Sequence, residues 1–416
     1  MSSNDTTAVI GDLRVPEPDL TPQEVIARAA AMRPTLRENR VKAAEEGKYS
    51  AEIHEAFEDA GFYRLVQPRK YGGYEFGLET YYRTMIEISR GDPGIGWCLT
   101  LGTGHTIPLV AHFPEEVVRE AFGEDGVFIA PHSATPRGAL VPTDGGFRLT
   151  GVWPYSSGVP YSTHAMVSTI ILAEGSDPVP AVALLPRGDY TVRDDWGAHA
   201  TMALGASGSN TVVVEDVFIP AENVSPLFEW GYSNFPEGTH GTRSTGNPLY
   251  LGQIQPLYPA SLAAVQVGAA WAALDAYEET ILTKKRLYPP LVERYKHEEG
   301  QSIWGQARAT IDAAQSVLLT AARDYERLGE RWASGDTPSF EDWVALGNVL
   351  YASCRLSHEA TELLFRSVGS SVARKGLPLQ DYFLVTQMSK AQIAEHVPVI
   401  TVMTARAHFG LDLNTI

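Results

Sequence analysis

One short segment, residues 151–158, carries the residue types that best suit a cofactor site. It consists of Gly-Val-Trp-Pro-Tyr-Ser-Ser-Gly and closes a run of short β-type segments between two helical regions. Trp153 supplies an aromatic face, Ser157 a hydroxyl, and Gly158 a backbone without a side chain. Such a set suits the edge of a flavin ring, where the Ser157 hydroxyl can donate to or accept from flavin N5. The alternatives are a turn serine bonded to local backbone and a core tryptophan.

Two histidines suit proton transfer, because the ordinary pKa of imidazole, roughly 6.5, lies near neutral pH. His396 is a candidate to donate a proton to activated oxygen or to assist a substrate hydroxyl as a base. His105 stands among glycines and apolar residues, where a buried ring needs a partner, and is a candidate for substrate contact. For each ring the alternative is a structural histidine bonded within its helix environment.

Other polar and aromatic residues are weaker candidates. Arg243, Tyr250 and Tyr258 precede the C-terminal helices and could line a substrate pocket, or be structural. The adjacent carboxylates at positions 194 and 195 are better explained as a charged turn between strands. Three further histidines lie on charged helix faces and are expected to be solvated: His54, His297 and His358.

Helix signals predict the elements that position these residues. Thr21 can cap a helix, because it can accept from the backbone N–H of Glu24 while Pro22 occupies the first helical position. Helical spacing of apolar residues around Phe57 predicts a second helix, and residues 114–122 a further one.

Between Val127 and Pro220 the pattern changes to β-branched and aromatic runs separated by Gly, Pro and Asp clusters. Short strands at this spacing predict a compact antiparallel barrel or sandwich. Residues 221–250 are rich in Gly, Asn, Ser and Pro and predict a long connecting loop.

Helical signals return after Pro259. Apolar residues from Ile303 to Leu328 recur at intervals of three and four, and Ser339 starts the next helix. Four long helices here predict a bundle. The fold class is therefore α+β and mostly α, with an N-terminal helical domain (1–125), a middle antiparallel β domain facing the flavin (126–235) and a C-terminal four-helix bundle domain (236–416).

Composition excludes several classes of partner. The net charge of −17 argues against nucleic acid, which requires clustered Lys and Arg. The two cysteines have no metal-ligand spacing, so we expect no metal and a reducing compartment. No run approaches the roughly 18 apolar residues of a membrane span. The first 20 residues lack the pattern of a signal peptide, so a cytoplasmic protein is expected.

Four segments in order resemble the acyl-CoA dehydrogenase family. They are the Trp153–Gly158 segment, the strand before it from Gly145, the Ala60–Gly73 segment with its Tyr-Gly-Gly ending, and Gly205–Pro220, which is similar to the last strand of the middle domain. With the helical ends, the resemblance spans roughly residues 20–410.

Within this family the chain looks like the monooxygenase branch. The Glu-Gly-Thr segment that carries the base of many dehydrogenases is absent, and the corresponding residues 391–398 contain Glu395 and His396. His396 is similar to the C-terminal histidine of the oxygenases. Trp97, followed eight residues later by His105, resembles the part of their first domain that reaches the substrate pocket.

The resemblance implies the oxygenase component of a two-component flavin-dependent monooxygenase. Reduced FMN or FAD would react with O2 to form a C4a-hydroperoxyflavin that hydroxylates a phenolic or polycyclic aromatic substrate or oxidises a heteroatom. An acyl-CoA dehydrogenase with FAD and Glu395 as base is the first alternative. A non-catalytic flavin-binding scaffold is the second.

The same resemblance implies further contacts. Ser209, Gly369 and Ser370 would bind the cofactor, the last two by holding a flavin phosphate between subunits. The partners would be a small-molecule substrate and a separate NAD(P)H:flavin reductase that supplies reduced flavin by diffusion. The assembly would be a homotetramer, with no contact to nucleic acid or membrane.

Overall fold

The computed structural model describes residues 13–374 and 376–411. The N-terminal region is helical, as predicted. Its helices are α1 (Pro22–Glu46), α2 (Ala51–Asp59), α3 (Leu78–Gly91), α4 (Pro93–Gly104), α5 (Thr106–His112) and α6 (Glu115–Phe122). The start of α1 follows from its capping box, in which Thr21 Oγ1 accepts from Glu24 N at 3.3 Å and Thr21 N donates to Glu24 Oε2 at 2.9 Å. Asp92 caps α4 in a similar way, accepting from Ile95 N at 2.7 Å.

The middle region forms one sheet with its own apolar core. Its strands are β1 (His132–Ser133), β2 (Ala139–Thr143), β3 (Gly146–Trp153), β4 (His164–Ile171), β5 (Val179–Pro186), β6 (Thr191–Val192), β7 (Val212–Pro220) and β8 (Val224–Pro226). Their order is β6-β7-β3-β2-β4-β5-β8, with β1 beside β4.

The predicted antiparallel sheet is confirmed for most strand pairs, but β4 pairs in parallel with both β1 and β2. Within the described residues the strands form a single sheet whose order ends at β6 and β8, and its buried residues share one core. The short β1, which precedes the first hairpin, could not be foreseen from alternation because it contributes two residues.

The pairing of β3 with β7 places the site. Trp153, the last residue of β3, pairs with Val212, the first residue of β7. Because the strands are antiparallel, the loop after Trp153 and the loop before Val212 meet at one edge of the sheet. Ser157 and Ser209 lie in these two loops.

The predicted loop 221–250 is wrong in part, because it contains β8, α7 (Leu227–Tyr232) and α8 (His240–Thr245). The start of α8 is fixed locally by a capping box, in which Thr239 Oγ1 accepts from Thr242 N at 3.2 Å.

Four long helices complete the chain within the described residues, as predicted: α9 (Ile254–Thr283), α10 (Glu298–Ala333), α11 (Phe340–Ser367) and α12 (Pro378–His408). The predicted stripe on α10 is buried from Ala307 to Tyr325. The predicted cap of α11 is present, with Ser339 Oγ accepting from Asp342 N at 3.2 Å.

The central helix of this bundle is α9. Contrary to the sequence expectation, it is long and apolar enough to cross a membrane by length and composition, and 89% of its most apolar stretch is buried inside the protein. Helix α12 packs antiparallel to it, since Leu379 and Ala276 line one cavity while Gln266 Nε2 donates to Ser389 Oγ.

Candidate active site

A chain of three buried serines lies where the loops after β3 and before β7 meet. Ser156 N donates to Asn210 O at 3.2 Å and Gly158 N to Ser207 O at 3.1 Å, which fixes the two loops together. Ser157 Oγ then lies 2.7 Å from Ser209 Oγ, which lies 2.7 Å from Ser207 Oγ.

Trp97 of α4 completes this chain. Its indole Nε1–H donates to Ser157 Oγ at 3.0 Å, and the indole is 4% exposed while Ser157 is 8% exposed. The sequence resemblance placed Trp97 in the substrate pocket, whereas the structure places its N–H on the predicted flavin-contacting serine. The indole therefore orients the Ser157 hydroxyl.

One hydroxyl hydrogen of the three serines is not used by the bonds between them. Three hydroxyls supply three hydrogens, and the two bonds between them use two. Trp97 occupies one lone pair of Ser157. When Ser207 donates to Ser209 and Ser209 donates to Ser157, the hydrogen of Ser157 remains for an acceptor outside the chain. The unprotonated N5 of oxidised flavin fits this position, and when Ser157 donates to Ser209 instead, its free lone pair can accept from an N–H such as that of reduced flavin.

The positions of Gly158 and Trp153 are set by contacts within the protein. Gly158 has φ 88° and faces α4, where a Cβ would lie 3.0 Å from the Cys98 carbonyl oxygen. Trp153 is fully buried in the sheet core and donates through Nε1 to Ser168 O at 2.7 Å. Trp153 therefore lies in the core, which was the alternative position considered for it in the sequence.

A second cluster joins His105 to two other rings. His105 Nδ1 lies 2.8 Å from the Ala130 carbonyl oxygen, which can only accept, so Nδ1 carries the hydrogen and Nε2 is the acceptor. The centroid of His105 lies 5.6 Å from His132 and 5.7 Å from Tyr258. Burial lowers the pKa of His105 to about 4, so the ring is neutral at pH 7.

His132 is a member of this cluster that sequence reasoning missed. Its Nδ1 is hydrogen-bonded to Tyr258 Oη, and its Nε2 lies 3.0 Å from Ser168 Oγ. Burial holds the pKa of His132 well below its ordinary value. Ser168 also accepts from Trp153, so β4 links the two parts of the site. In the sequence, His132 stands in a polar stretch, and no local signal shows that it meets Tyr258.

A small cavity of about 10 Å³ adjoins His105 and Tyr258. This is about the volume that holds one water. The other residues around it come from α3, α4, α5 and α9: Tyr81, Tyr82, Thr100, Leu101, Gly104, Ile107, Leu257 and Ser261. Three lining residues, Leu101, Gly104 and Tyr258, are partly exposed and mark its open side.

Two predicted pocket residues lie elsewhere. Arg243 is exposed and donates to the carbonyl oxygens of Glu237 and Gly238 at 3.4 and 3.2 Å. Tyr250 is fully buried and donates to Val66 O at 3.0 Å. Neither side chain lines the cavity beside His105.

The C-terminal candidate residues lie after α11 and on α12. Gly369 and Ser370 follow α11 and are exposed. The side chains of Glu395 and His396 lie outside the described residues, although their backbone belongs to α12. The backbone of His396 lies two turns after Ser389, about 10 Å further along the axis of α12. Because α12 runs antiparallel to α9, this is near the level of Tyr258 on α9.

None of the three histidines expected to be solvated is fully exposed. His358 is 5% exposed, and burial lowers its pKa to about 4. His54 is half-buried and stacks on Tyr161 with a centroid distance of 4.2 Å. His297 is half-buried and caps α10, with Nδ1 accepting from Glu299 N at 3.2 Å. Helix faces that look charged in the sequence are covered here by neighbouring elements.

A larger cavity, about 770 Å³, lies between α1, α12 and the loop before β7. It contains the buried carboxyl of Asp92, whose pKa is raised by burial to about 6. Neither the Ser157 hydroxyl nor His105 lines it, so we place the chemistry at the serine chain and the histidine cluster. Among the described residues, no group of three His, Cys, Asp or Glu side chains could hold a metal ion.

Comparisons with known proteins identify the family. The N-terminal domain of acyl-CoA dehydrogenase matches residues 23–126, and its C-terminal domain matches residues 260–383. The oxygenase subunit HsaA of Rhodococcus jostii (strain RHA1), a flavin-dependent monooxygenase, is 31% identical over 253 residues, which are 61% of this chain and 64% of that protein. The FADH(2)-dependent resorcinol hydroxylase, oxygenase component, of Rhizobium sp. (strain MTP-10005) is 29% identical over 275 residues, or 64% of each chain. These alignments span just under two thirds of the curated relatives.

The fold likeness is more extensive. The crystal structure of 3-HSA hydroxylase from Rhodococcus sp. RHA1 has a TM-score of 0.83 and 25% identity, and the match covers 94% of this chain and 97% of that one. With both family domains in order at the two ends, the chain belongs to the acyl-CoA dehydrogenase family.

Proposed function

We propose that this chain is the oxygenase component of a two-component flavin-dependent monooxygenase that acts on an aromatic substrate. The observation that carries the proposal is the Ser157 hydroxyl, which Trp97 and Ser209 hold with one position left either to donate or to accept a hydrogen bond, as flavin N5 requires in its two redox states. The relatives reported above, which are named as a monooxygenase subunit and a hydroxylase component, support it.

In this proposal the residues at the sheet edge bind the reduced ring. Trp97 Nε1–H donates to Ser157 Oγ, and when Ser157 donates to Ser209 its remaining lone pair can accept the N5–H of the reduced ring. When bound, reduced flavin supplies the electrons that activate O2 and allow one oxygen atom to reach the substrate. Burial of the serine chain keeps bulk water away from N5.

The histidine cluster receives the substrate. His105 is neutral and offers Nε2 as a hydrogen-bond acceptor to a substrate hydroxyl. The bonds from His132 to Tyr258 and to Ser168 hold the tyrosine ring beside it. His396, on α12, is proposed to reach the same region and to take part in proton transfer.

Reduced FMN or FAD, together with O2 and without a metal, is the proposed cofactor set. A separate NAD(P)H:flavin reductase is the proposed partner, in keeping with the word "component" in the relative's name. We further propose a cytoplasmic homotetramer. Three apolar side chains after α9 support burial against another copy, since Leu287, Tyr288 and Leu291 are 90, 75 and 61% exposed. Light scattering should give four times 45.3 kDa.

The test begins with the flavin-free protein and chemically reduced FMN or FAD under anaerobic conditions. On admission of O2 with a panel of phenols, indoles and amines, the proposal expects a hydroxylated or oxygenated product. Only H2O2 with every compound would contradict it. Reduction of bound FAD by an acyl-CoA would instead establish the dehydrogenase, with a carboxylate such as Glu395 as the base.

A further inference from the structure

Three hydrogen-bonded side chains connect the core of the sheet to the small cavity beside His105. Ser168, on β4, is fully buried, and its Oγ lies 3.0 Å from His132 Nε2. His132 Nδ1 is hydrogen-bonded to Tyr258 Oη. Tyr258 is partly exposed and lines the cavity. The direction in which the hydrogens point along these bonds decides what Tyr258 offers to a ligand.

The hydrogens can be arranged in two ways. Burial holds the pKa of His132 well below its ordinary value, so the ring is neutral at pH 7 and carries a single N–H. If the hydrogen is on Nε2, it goes to Ser168 Oγ, and the Tyr258 hydroxyl donates to Nδ1. If the hydrogen is on Nδ1, it goes to Tyr258 Oη, and the Ser168 hydroxyl donates to Nε2. The first arrangement leaves the serine hydrogen unused, and the second leaves the tyrosine hydrogen unused.

Burial of the serine selects the second arrangement. Within the residues that the structure describes, His132 is the one hydrogen-bond partner of Ser168 Oγ. In the first arrangement the Ser168 hydrogen would therefore have no acceptor in the core of the sheet, which costs free energy. In the second arrangement the unused hydrogen belongs to Tyr258, at the cavity, where water or a ligand can accept it. His132 therefore carries its hydrogen on Nδ1, and Tyr258 is left as a donor.

Size and charge restrict the acceptor that Tyr258 can meet. The volume of the cavity is about 10 Å³, close to that of one water, which fits a single oxygen atom and not a carboxylate. In the described part of the chain none of the lining residues is Lys or Arg, and burial lowers the pKa of His105 to about 4. A carboxylate would lie here among neutral groups, which is unfavourable. A neutral carbonyl oxygen fits, because it accepts a hydrogen bond without bringing a charge.

We propose that Tyr258 is a specificity-determining residue that donates a hydrogen bond to a neutral carbonyl oxygen of the substrate. His132 and Ser168 are its positioning residues, because they fix which way its hydroxyl hydrogen points. This inference rests on the proposed function, and it selects aromatic ketones among the compounds that such an enzyme could oxidise. The aromatic ring of the ketone lies toward the open side of the cavity, at Leu101 and Gly104.

Nitrogen NMR of the ligand-free full chain reads the position of the ring hydrogen directly. The protein is labelled with ¹⁵N-histidine, and the signals of His132 are identified by their loss in His132→Gln. At pH 7 we expect a hydrogen on Nδ1 and none on Nε2, two states of a ring nitrogen whose ¹⁵N shifts differ widely. A hydrogen on Nε2 would mean that Tyr258 donates to the histidine and not to a ligand, and the proposal would be overturned.

Calorimetry on the flavin-free full chain tests the contact with the carbonyl without any turnover. The probes are acetophenone, ethylbenzene, which has a methylene in place of the carbonyl, and benzoate. Benzoate should bind at least about a hundredfold more weakly than acetophenone, because its charge is buried. Tyr258→Phe keeps the ring and removes the donor, so acetophenone should bind about tenfold more weakly while the affinity for ethylbenzene stays the same. An equal effect on both compounds, no effect on acetophenone, or tight binding of benzoate would each contradict the proposal.

Tyr81 provides a matched control at the same cavity. It is fully buried, and its hydroxyl donates to Thr100 O at 2.6 Å, so its hydrogen is already used within the protein. Tyr81→Phe should leave the ratio of the acetophenone and ethylbenzene affinities as it is in the parent protein. If Tyr81→Phe lowers this ratio as much as Tyr258→Phe does, the ratio reports packing around the cavity and the role given to Tyr258 is refuted.

Failure of this inference is distinguishable from failure of the proposed function. If the binding results are as expected and reduced flavin with O2 yields only H2O2, the oxygenase proposal fails while the carbonyl contact stands. If oxygen transfer occurs but Tyr258→Phe binds acetophenone as tightly as the parent protein, the carbonyl contact fails while the oxygenase proposal stands.

Discussion

Replacement of Trp97 by phenylalanine tests the link between the indole and the serine chain. The variant keeps an aromatic ring in α4 and removes the N–H that donates to Ser157 Oγ at 3.0 Å. Both groups are buried, at 4% and 8% exposure, so the bond is worth about 1 kcal/mol net. We therefore expect Trp97→Phe to lower the free energy of unfolding by about 1 kcal/mol, measured by urea denaturation.

The same loss should appear in the chemistry. About 1 kcal/mol corresponds to roughly a fivefold change in how often the Ser157 hydroxyl is oriented for its bond to flavin N5. The ratio of oxygenated product to H2O2, measured after O2 is added to protein with reduced flavin and substrate, should fall by about that factor.

A matched control distinguishes the two effects. Trp271 is 7% exposed and donates through Nε1 to Gln315 Oε1 at 2.8 Å, on a part of α9 remote from Ser157. Trp271→Phe should cost a similar stability, about 1 kcal/mol, and leave the product ratio unchanged. If Trp97→Phe also left that ratio unchanged, the indole would not orient the serine and the reasoning would be refuted.

Further predictions concern backbone strain and protonation. Gly158→Ala should destabilise the protein by about 2–3 kcal/mol in urea denaturation, since φ is 88° and the Cβ would lie 3.0 Å from Cys98 O. Gly175→Ala, at φ 75° with open space around it, should cost only about 1 kcal/mol, and equal costs would argue against tight packing of Gly158 on α4. Burial lowers the pKa of His105 and of His112 to about 4, below the roughly 6.5 of an unfolded chain. Between these values the unfolded chain binds more protons, so the free energy of unfolding should be constant above about pH 6.5 and fall as the pH is lowered to about 4. His112→Phe should reduce this slope by up to one proton, and an unchanged slope would mean that His112 is not held neutral.

The sequence predicts elements whose causes are local. Thr21 and Ser339 cap their helices through bonds to residues three positions on, so a sequence window contains both partners. The stripe on α10 likewise follows from its own spacing. The residue types at Ser157 and His105 also indicated a site, because hydroxyl and imidazole groups among apolar neighbours need partners.

The partners themselves could not be predicted, because they are distant in the chain. Trp97 and Ser157 are 60 residues apart, and His132 and Tyr258 are 126 apart. The first contact depends on the packing of α4 against the sheet edge and the second on the place of β1 beside β4. For the same reason the bond of Tyr250 to Val66, 184 residues earlier, could not be predicted.

Isotope labelling tests oxygen transfer most directly. The flavin-free protein is loaded with reduced flavin and a phenol and is then exposed to ¹⁸O₂ for a single turnover, with the product analysed by mass spectrometry. The account predicts a hydroxylated phenol that carries one ¹⁸O atom, and a much lower yield of it from Ser157→Ala. A product whose new oxygen comes from water, or labelled H2O2 without labelled product, would contradict it.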